Sequence, residues 1–196
     1  MKKSFDIEKW NSLSDQWKEI YAINIIANFR LSKIQREKIF SIGQNPLNCY
    51  KSYFTKDFTN NITPEEIVKL PEIYCLYLSN LNVDEIPLSI YFENISSIDI
   101  SYNKFTDLRF LENLSSVNEL YCECNLISDI NAISNLTNIT KLNIRENKIT
   151  SINTIRNFKK LTYLDIGRNQ ITDISPLSEL HQLEEIQADL NKIEYC

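Results

Sequence analysis

From Ile73 onward one apolar pattern returns every 22 residues, with Ile73, Ile95, Val117, Ile139, Leu161 and Leu183 each opening a copy of LxxLxLxxNxIxxIxxLxx. With the opening residue as position 1, leucine-type residues occupy positions 1, 4, 6, 11, 14 and 17, and asparagine occupies position 9. No copy of this length can bury its own apolar face, so the copies must stack into a solenoid with one continuous core. Alternation over positions 3 to 7 predicts a short strand, with 4 and 6 turned inward and 3, 5 and 7 outward. Stacked copies then form a curved parallel sheet. Each strand must return by a crossover, and the three-residue spacing of positions 11, 14 and 17 predicts short 3₁₀ turns there rather than full α-helices.

The clearest copy runs Leu161, Leu164, Ile166, Asn169, Ile171, Ile174 and Leu177. Asn103, Asn125, Asn147, Asn169 and Asn191 make a ladder at position 9, where an amide offers donors and an acceptor to backbone leaving the strand. Leu81 interrupts the ladder in the first copy, as befits an atypical end repeat. In Asn169-Gln170-Ile171-Thr172-Asp173-Ile174-Ser175-Pro176-Leu177, a Thr-Asp pair precedes the apolar residue and a proline follows; these residue types cap and open a helical turn on the convex side. Thr106-Asp107-Leu108 and Ser128-Asp129-Ile130 are weaker copies of the same signal.

The chain from Ile73 to Cys196 resembles the 22-residue bacterial leucine-rich repeats best known from internalins, the most specific match being the N-x-I-x-D-I-x-P-L run ending at Leu177. The resemblance implies an α/β leucine-rich repeat solenoid, with a curved parallel sheet, short convex 3₁₀ turns and an α-helical N-terminal cap. Internalins are exported adhesins, and that property is not carried over. The segment MKKSFDIEKW has two lysines but no apolar core for export, and no later stretch is long enough to span a bilayer. A cytoplasmic location is therefore expected, and five cysteines, an odd number, agree with a reducing compartment.

Residues 1–68 do not follow the repeat and are expected to form a helical cap region, leaving 69–196 as about six repeats, the last truncated. Ser14 is expected to cap a helix through Trp17, Ile20, Tyr21, Ile23 and Ile26 to about Phe29, and a second helix is expected from Ser32 to Ile42. Thr63-Pro64-Glu65-Glu66 is a start signal with a threonine cap, proline at the first helical position and glutamate at the third. Trp10, Leu13, Trp17 and Ile20 are expected to cover the apolar end of the first repeat.

Function is argued from the outward strand positions. Position 3 gives Cys75, Ser97, Glu119, Lys141, Tyr163 and Glu185; position 5 gives Tyr77, Asp99, Tyr121, Asn143, Asp165 and Gln187. Position 7 adds Ser79, Ser101, Glu123, Arg145, Gly167 and Asp189, and position 8 adds Asn80, Tyr102, Cys124, Glu146, Arg168 and Leu190. These columns hold seven acids and three bases, a net charge of −4. Residues 1–68 carry ten basic and eight acidic residues, against eleven and eighteen in 69–196, so the acidity belongs to the repeats. Tyr77, Tyr102, Tyr121 and Tyr163 among acids have the composition of a protein-binding surface for a basic partner, since tyrosines anchor interfaces and charge speeds encounter. The expected contact set is Tyr77, Asp99, Tyr102, Glu119, Tyr121, Glu123, Lys141, Asn143, Arg145, Tyr163, Asp165, Arg168, Glu185, Gln187 and Asp189.

Catalysis, cofactors and metals are not expected. The single histidine, His181, lies away from the concave acids, and two glycines cannot build a phosphate loop. Cys122 is expected inward at position 6 and Cys124, two residues on, is expected to leave the strand near the concave rim, which makes them a poor metal pair. An acidic face disfavours nucleic acid. The reading is a non-enzymatic binding module, acting as an inhibitor or immunity-type neutraliser of a basic protein. The alternative is an assembly scaffold working through its helical cap or its ends, where the last strand's edge is shielded by Glu184, Glu185 and Asp189.

Overall fold

The structure is a computed structural model that describes residues 7–29, 63–67, 72–87, 92 and 94–194. The helix expected from Ser32 to Ile42 lies outside the described residues, as do Cys49 and Cys196. Two helices open the described chain, α1 (Ile7–Ser12) and α2 (Asp15–Phe29), and a single turn, α3 (Pro64–Ile67), precedes the repeats. Six three-residue strands follow: β1 (Cys75–Tyr77), β2 (Ser97–Asp99), β3 (Glu119–Tyr121), β4 (Lys141–Asn143), β5 (Tyr163–Asp165) and β6 (Glu185–Gln187). They form one parallel sheet in sequential order, and every pair is in register at 22 residues, Cys75 opposite Ser97 and Tyr163 opposite Glu185. A sequence period became a spatial lattice because each copy offers its neighbour the same apolar face and the same backbone edge.

Positions 4 and 6 are buried as expected in the first five copies, at Leu76, Leu78, Ile98, Ile100, Leu120, Cys122, Leu142, Ile144, Leu164 and Ile166, whereas Ile186 in the last copy is 44 % exposed. The convex returns are 3₁₀ turns at Arg109–Leu111, Asn131–Ile133, Asn153–Asn157 and Ser175–Glu179. Three are capped by the aspartate the sequence singled out: Asp107, Asp129 and Asp173 accept from the backbone N–H two residues on, at 3.0, 2.8 and 2.7 Å. Pro176 stands second rather than first in its turn, because Asp173 caps at Ser175.

The asparagine ladder satisfies backbone across repeats. Asn147 accepts from Ile127 N–H in the preceding copy at 3.0 Å and donates to the carbonyls of Cys122, Ile144 and Arg145 at 3.0 to 3.1 Å. Asn103, Asn125 and Asn169 repeat the pattern, and Leu81 in the first copy donates its own N–H to Asn103. Position 8 just before it is left-handed in all six copies, with φ of 53° to 57° at Asn80, Tyr102, Cys124, Glu146, Arg168 and Leu190. Only Asn80 is a residue type that favours this conformation. The amide that follows ties the backbone on both sides of the turn, so the lattice imposes a conformation the side chain itself disfavours.

The N-terminal helices are the cap. Ser14 accepts from Trp17 N–H at 3.3 Å, α2 begins one residue later, and Trp10, Leu13 and Ile20 are buried in the same core as the first repeat, with Trp17 partly buried against it. The capping box before α3 also forms, with Thr63 N–H donating to Glu66 at 3.1 Å and Glu66 N–H donating to Thr63 at 3.4 Å. Tyr21 is wedged 5.3 Å from the Trp17 ring and 6.3 Å from Phe92, and burial drives its ionisation far above the usual tyrosine range.

The pairing between cap and sheet is not apparent in the apolar pattern. Asn24 and Asn28, both buried on α2, behave as a missing strand. Asn24 accepts from Tyr77 N–H at 2.7 Å and donates to Tyr77 C=O at 3.1 Å. Asn28 accepts from Tyr74 and Cys75 N–H at 3.0 and 2.9 Å and donates to Cys75 C=O at 2.8 Å. Four residues of helix rise about 6 Å and two residues of strand about 6.6 Å, so amides one helical turn apart meet alternate residues of the β1 edge.

Candidate functional site

The concave face divides the fifteen expected residues into a floor, a set of half-buried tyrosines and acids, and an exposed rim. Asp99, Asn143 and Asp165 form the floor, only 5, 6 and 3 % exposed. Each folds its side-chain oxygen back onto the backbone N–H two residues on, at Ser101, Arg145 and Gly167, at 2.9 to 3.0 Å. Position 5 thus closes a turn as the strand ends, and these three side chains are only marginally open to a partner. Tyr77, Glu119, Tyr121, Glu123, Arg145 and Tyr163 are half-buried, while Tyr102, Lys141, Arg168, Glu185, Gln187 and Asp189 stand exposed.

Every cation of these columns is tied to an acid one or two copies away. Lys141 pairs with Glu119 at 3.0 Å and Arg168 with Glu146 at 3.3 Å. Arg145 holds Asp189 through both guanidinium nitrogens at 2.8 and 2.9 Å, and reaches Asp165 at 3.4 Å. Gly167 makes this possible: a β-carbon there would collide with the Arg145 guanidinium and approach Asp189 to 2.8 Å. The bases are therefore internally satisfied, and the excess negative charge of the columns has no cation within them.

The tyrosines sit among those acids. Tyr121 hydroxyl donates to Glu119 at 3.4 Å, and burial together with Glu119 pushes its ionisation well above the usual range. A hydrogen bond to Glu123 raises Tyr102, and burial followed by Asp165 and Glu185 raises Tyr163. Glu123 also accepts from the Asn143 amide at 2.5 Å. The result is a set of permanently protonated phenols beside carboxylates, able to offer aromatic surface, donors and negative charge together.

A family profile described as leucine-rich repeats in two copies matches residues 137–179, the most regular part of the sheet. Among solved structures, internalin C2 of Listeria monocytogenes superposes over 64 % of this chain and 56 % of its own, at 24 % identity and a TM-score of 0.58. A leucine-rich repeat protein of Leptospira interrogans superposes over 67 % of this chain and 35 % of its own, at 25 % identity and a TM-score of 0.62. The chain is a leucine-rich repeat solenoid. It spans little more than half the length of the first of these structures and about a third of the other. No curated protein matches it in sequence.

In this leucine-rich repeat sheet Cys124, half-buried like Cys75, is not an activated cysteine. Cys124 donates to Glu146 at 3.3 Å, and burial, then that carboxylate, push its thiol up to about 11. It is held as thiol at neutral pH, whereas a nucleophile or metal ligand needs thiolate. Among the described residues no group of three His, Cys, Asp or Glu converges on a metal position, and no helix is long and apolar enough to cross a membrane.

Burial raises the Asp165 carboxyl above the usual aspartate value despite Gly167 N–H and Arg145. Its folded value therefore exceeds its unfolded one. The cost of holding it charged is present above the folded value and disappears as pH falls below the unfolded one. Asn143 shows that an amide serves at the same position. Asp165→Asn is thus expected to leave stability at pH 7 unchanged or raised, with the advantage over wild type shrinking toward pH 4. Urea unfolding of both proteins at the two pH values checks this, and an advantage that grew on acidification would contradict it.

Proposed function

We propose that the concave sheet captures a basic protein partner, and that the protein acts without catalysis, as an inhibitor or neutraliser of that partner. One observation carries the reading: Tyr77, Tyr102, Tyr121 and Tyr163 share a face whose columns hold seven carboxylates against three cations, each of those cations already paired. Repeat solenoids use such extended concave surfaces for binding, and tyrosine concentrates binding energy in little area at low conformational cost. The three bases are already bound to neighbours, so an acidic partner would have to break ion pairs, while a basic one meets Glu123 and Glu185, which pair with no cation among the described residues. Five cysteines, an odd number, support a reducing, intracellular setting.

The test is capture from lysate of the native organism with wild-type bait, beside Tyr121→Ala/Tyr163→Ala and a Glu119→Lys/Glu123→Lys charge reversal. One basic protein should be enriched by wild type alone, with capture declining as salt rises. For that purified partner, affinity should fall about tenfold to a hundredfold in either variant. Equal capture by all three baits would end the concave-face reading. A changed oligomer mass without partner loss would favour assembly instead.

A further inference from the structure

A groove lies on the convex flank, where the first and second repeats meet. Among the described residues the first repeat has no 3₁₀ turn, and the first one present is Arg109–Leu111. The seam holds a groove of about 490 Å³, within the range of small-ligand sites. Its floor is apolar and aromatic: Ile86 and Phe105 are buried, and the half-buried Phe110 ring lies 5.3 Å from Phe105. Phe110 is out of keeping with the repeat, since the equivalent position carries Ala132, Thr154 and Pro176 in later copies.

The groove's charges fall into two kinds. Arg109 and Asp107 neutralise each other at 2.8 Å, and the guanidinium together with the Arg109 N–H holds the Asp107 carboxyl below the usual range. Asp84 and Glu85 also line the groove; both are exposed, and neither makes a hydrogen bond or ion pair with another described residue. An apolar occupant would strip water from those two carboxylates without replacing it, and an anion would meet net negative charge. A cation with an aliphatic stem satisfies both surfaces, its head between the carboxylates and over the Phe110 face, its stem along Ile86.

We propose that this groove is a second binding site, which takes an arginine or lysine side chain presented by a protein partner. It rests on its own residues and stands or falls independently of the concave sheet. The test uses the full chain with the peptides acetyl-Gly-Arg-Gly-amide and acetyl-Gly-Gln-Gly-amide, following the Phe105 and Phe110 ring signals by NMR. The arginine peptide should shift them saturably at millimolar concentration and the glutamine peptide should not. Asp84→Asn/Glu85→Gln, at two exposed positions that leave the core intact, should weaken binding about fivefold or more, and Phe110→Leu should weaken it as well. Tyr121→Ala/Tyr163→Ala should leave it unchanged. Equal response to the glutamine peptide, or unchanged affinity in the Asp84/Glu85 variant, overturns the site. Guanidinium chloride binding as tightly as the peptide overturns the protein-borne occupant.

Discussion

Replacing Asn24 and Asn28 together with leucine is expected to lower unfolding free energy by about 3–6 kcal/mol. Three backbone N–H groups and two carbonyls on the β1 side take their partners from these amides. Each buried group left without a partner costs about 1–3 kcal/mol, and water reaching part of the edge keeps the total below the full sum. Leucine is the better helix former by roughly half a kcal/mol per site, so helix propensity acts against the expected loss. Asn28→Asp refines the argument. It keeps the acceptor for Tyr74 and Cys75 N–H but sets a carboxylate oxygen against the Cys75 carbonyl, so most of the penalty should remain. Urea unfolding with parallel hydrogen exchange at Tyr77 N–H measures both. A loss below about 1 kcal/mol for the double variant would mean that apolar contact alone seats the cap.

Asn147→Ala in the middle of the ladder is expected to cost about 2–4 kcal/mol. The side chain is buried and serves four backbone groups in two repeats. Alanine leaves Ile127 N–H without its acceptor and frees the backbone around Glu146, which sits at φ 53° only because the amide ties both flanks of that turn. The same change at Asn191 should cost clearly less, since its hydrogen bonds are only part-buried and water can replace them. Denaturant midpoints for the two variants give the comparison directly. Equal losses at both positions would show that burial does not set the ladder's worth.

How much of this was legible follows from which interactions are local or periodic. The strands, their inward residues, the parallel register, the convex 3₁₀ turns with their aspartate caps and the role of the position 9 asparagines all follow from a 22-residue period. The start of α2 at Ser14 and the capping box at Thr63 follow from residue types a few positions apart. The candidate surface was legible only as a column of outward positions. Sequence alternation treats positions 3, 5 and 7 alike, and the structure does not. Asp99, Asn143 and Asp165 turn back onto the backbone two residues on, a habit of Asp and Asn that could have been read from Asp99-Ile-Ser101, Asn143-Ile-Arg145 and Asp165-Ile-Gly167. The pairing of Arg145 with Asp189 spans 44 residues and depends on the bare α-carbon of Gly167, which no local rule predicts.

The sequence by itself determined that this protein is a stack of identical turns, because a repeated apolar face has only one way to leave water. Only the tertiary structure decided what happens where the stack departs from its own pattern. Five residues at position 8, from Tyr102 to Leu190, become left-handed because neighbouring backbone and the ladder amide outweigh their local preference. Asn24 and Asn28 read as polar interruptions of an apolar helix until the β1 edge lies against them. The groove beside Phe110 brings Asp84, Glu85 and Ile86 of the first repeat against Phe105, Asp107, Arg109 and Phe110 of the second. In each case the deciding energy lies in contacts between segments 20 or more residues apart, which a period can imply only where it repeats without exception.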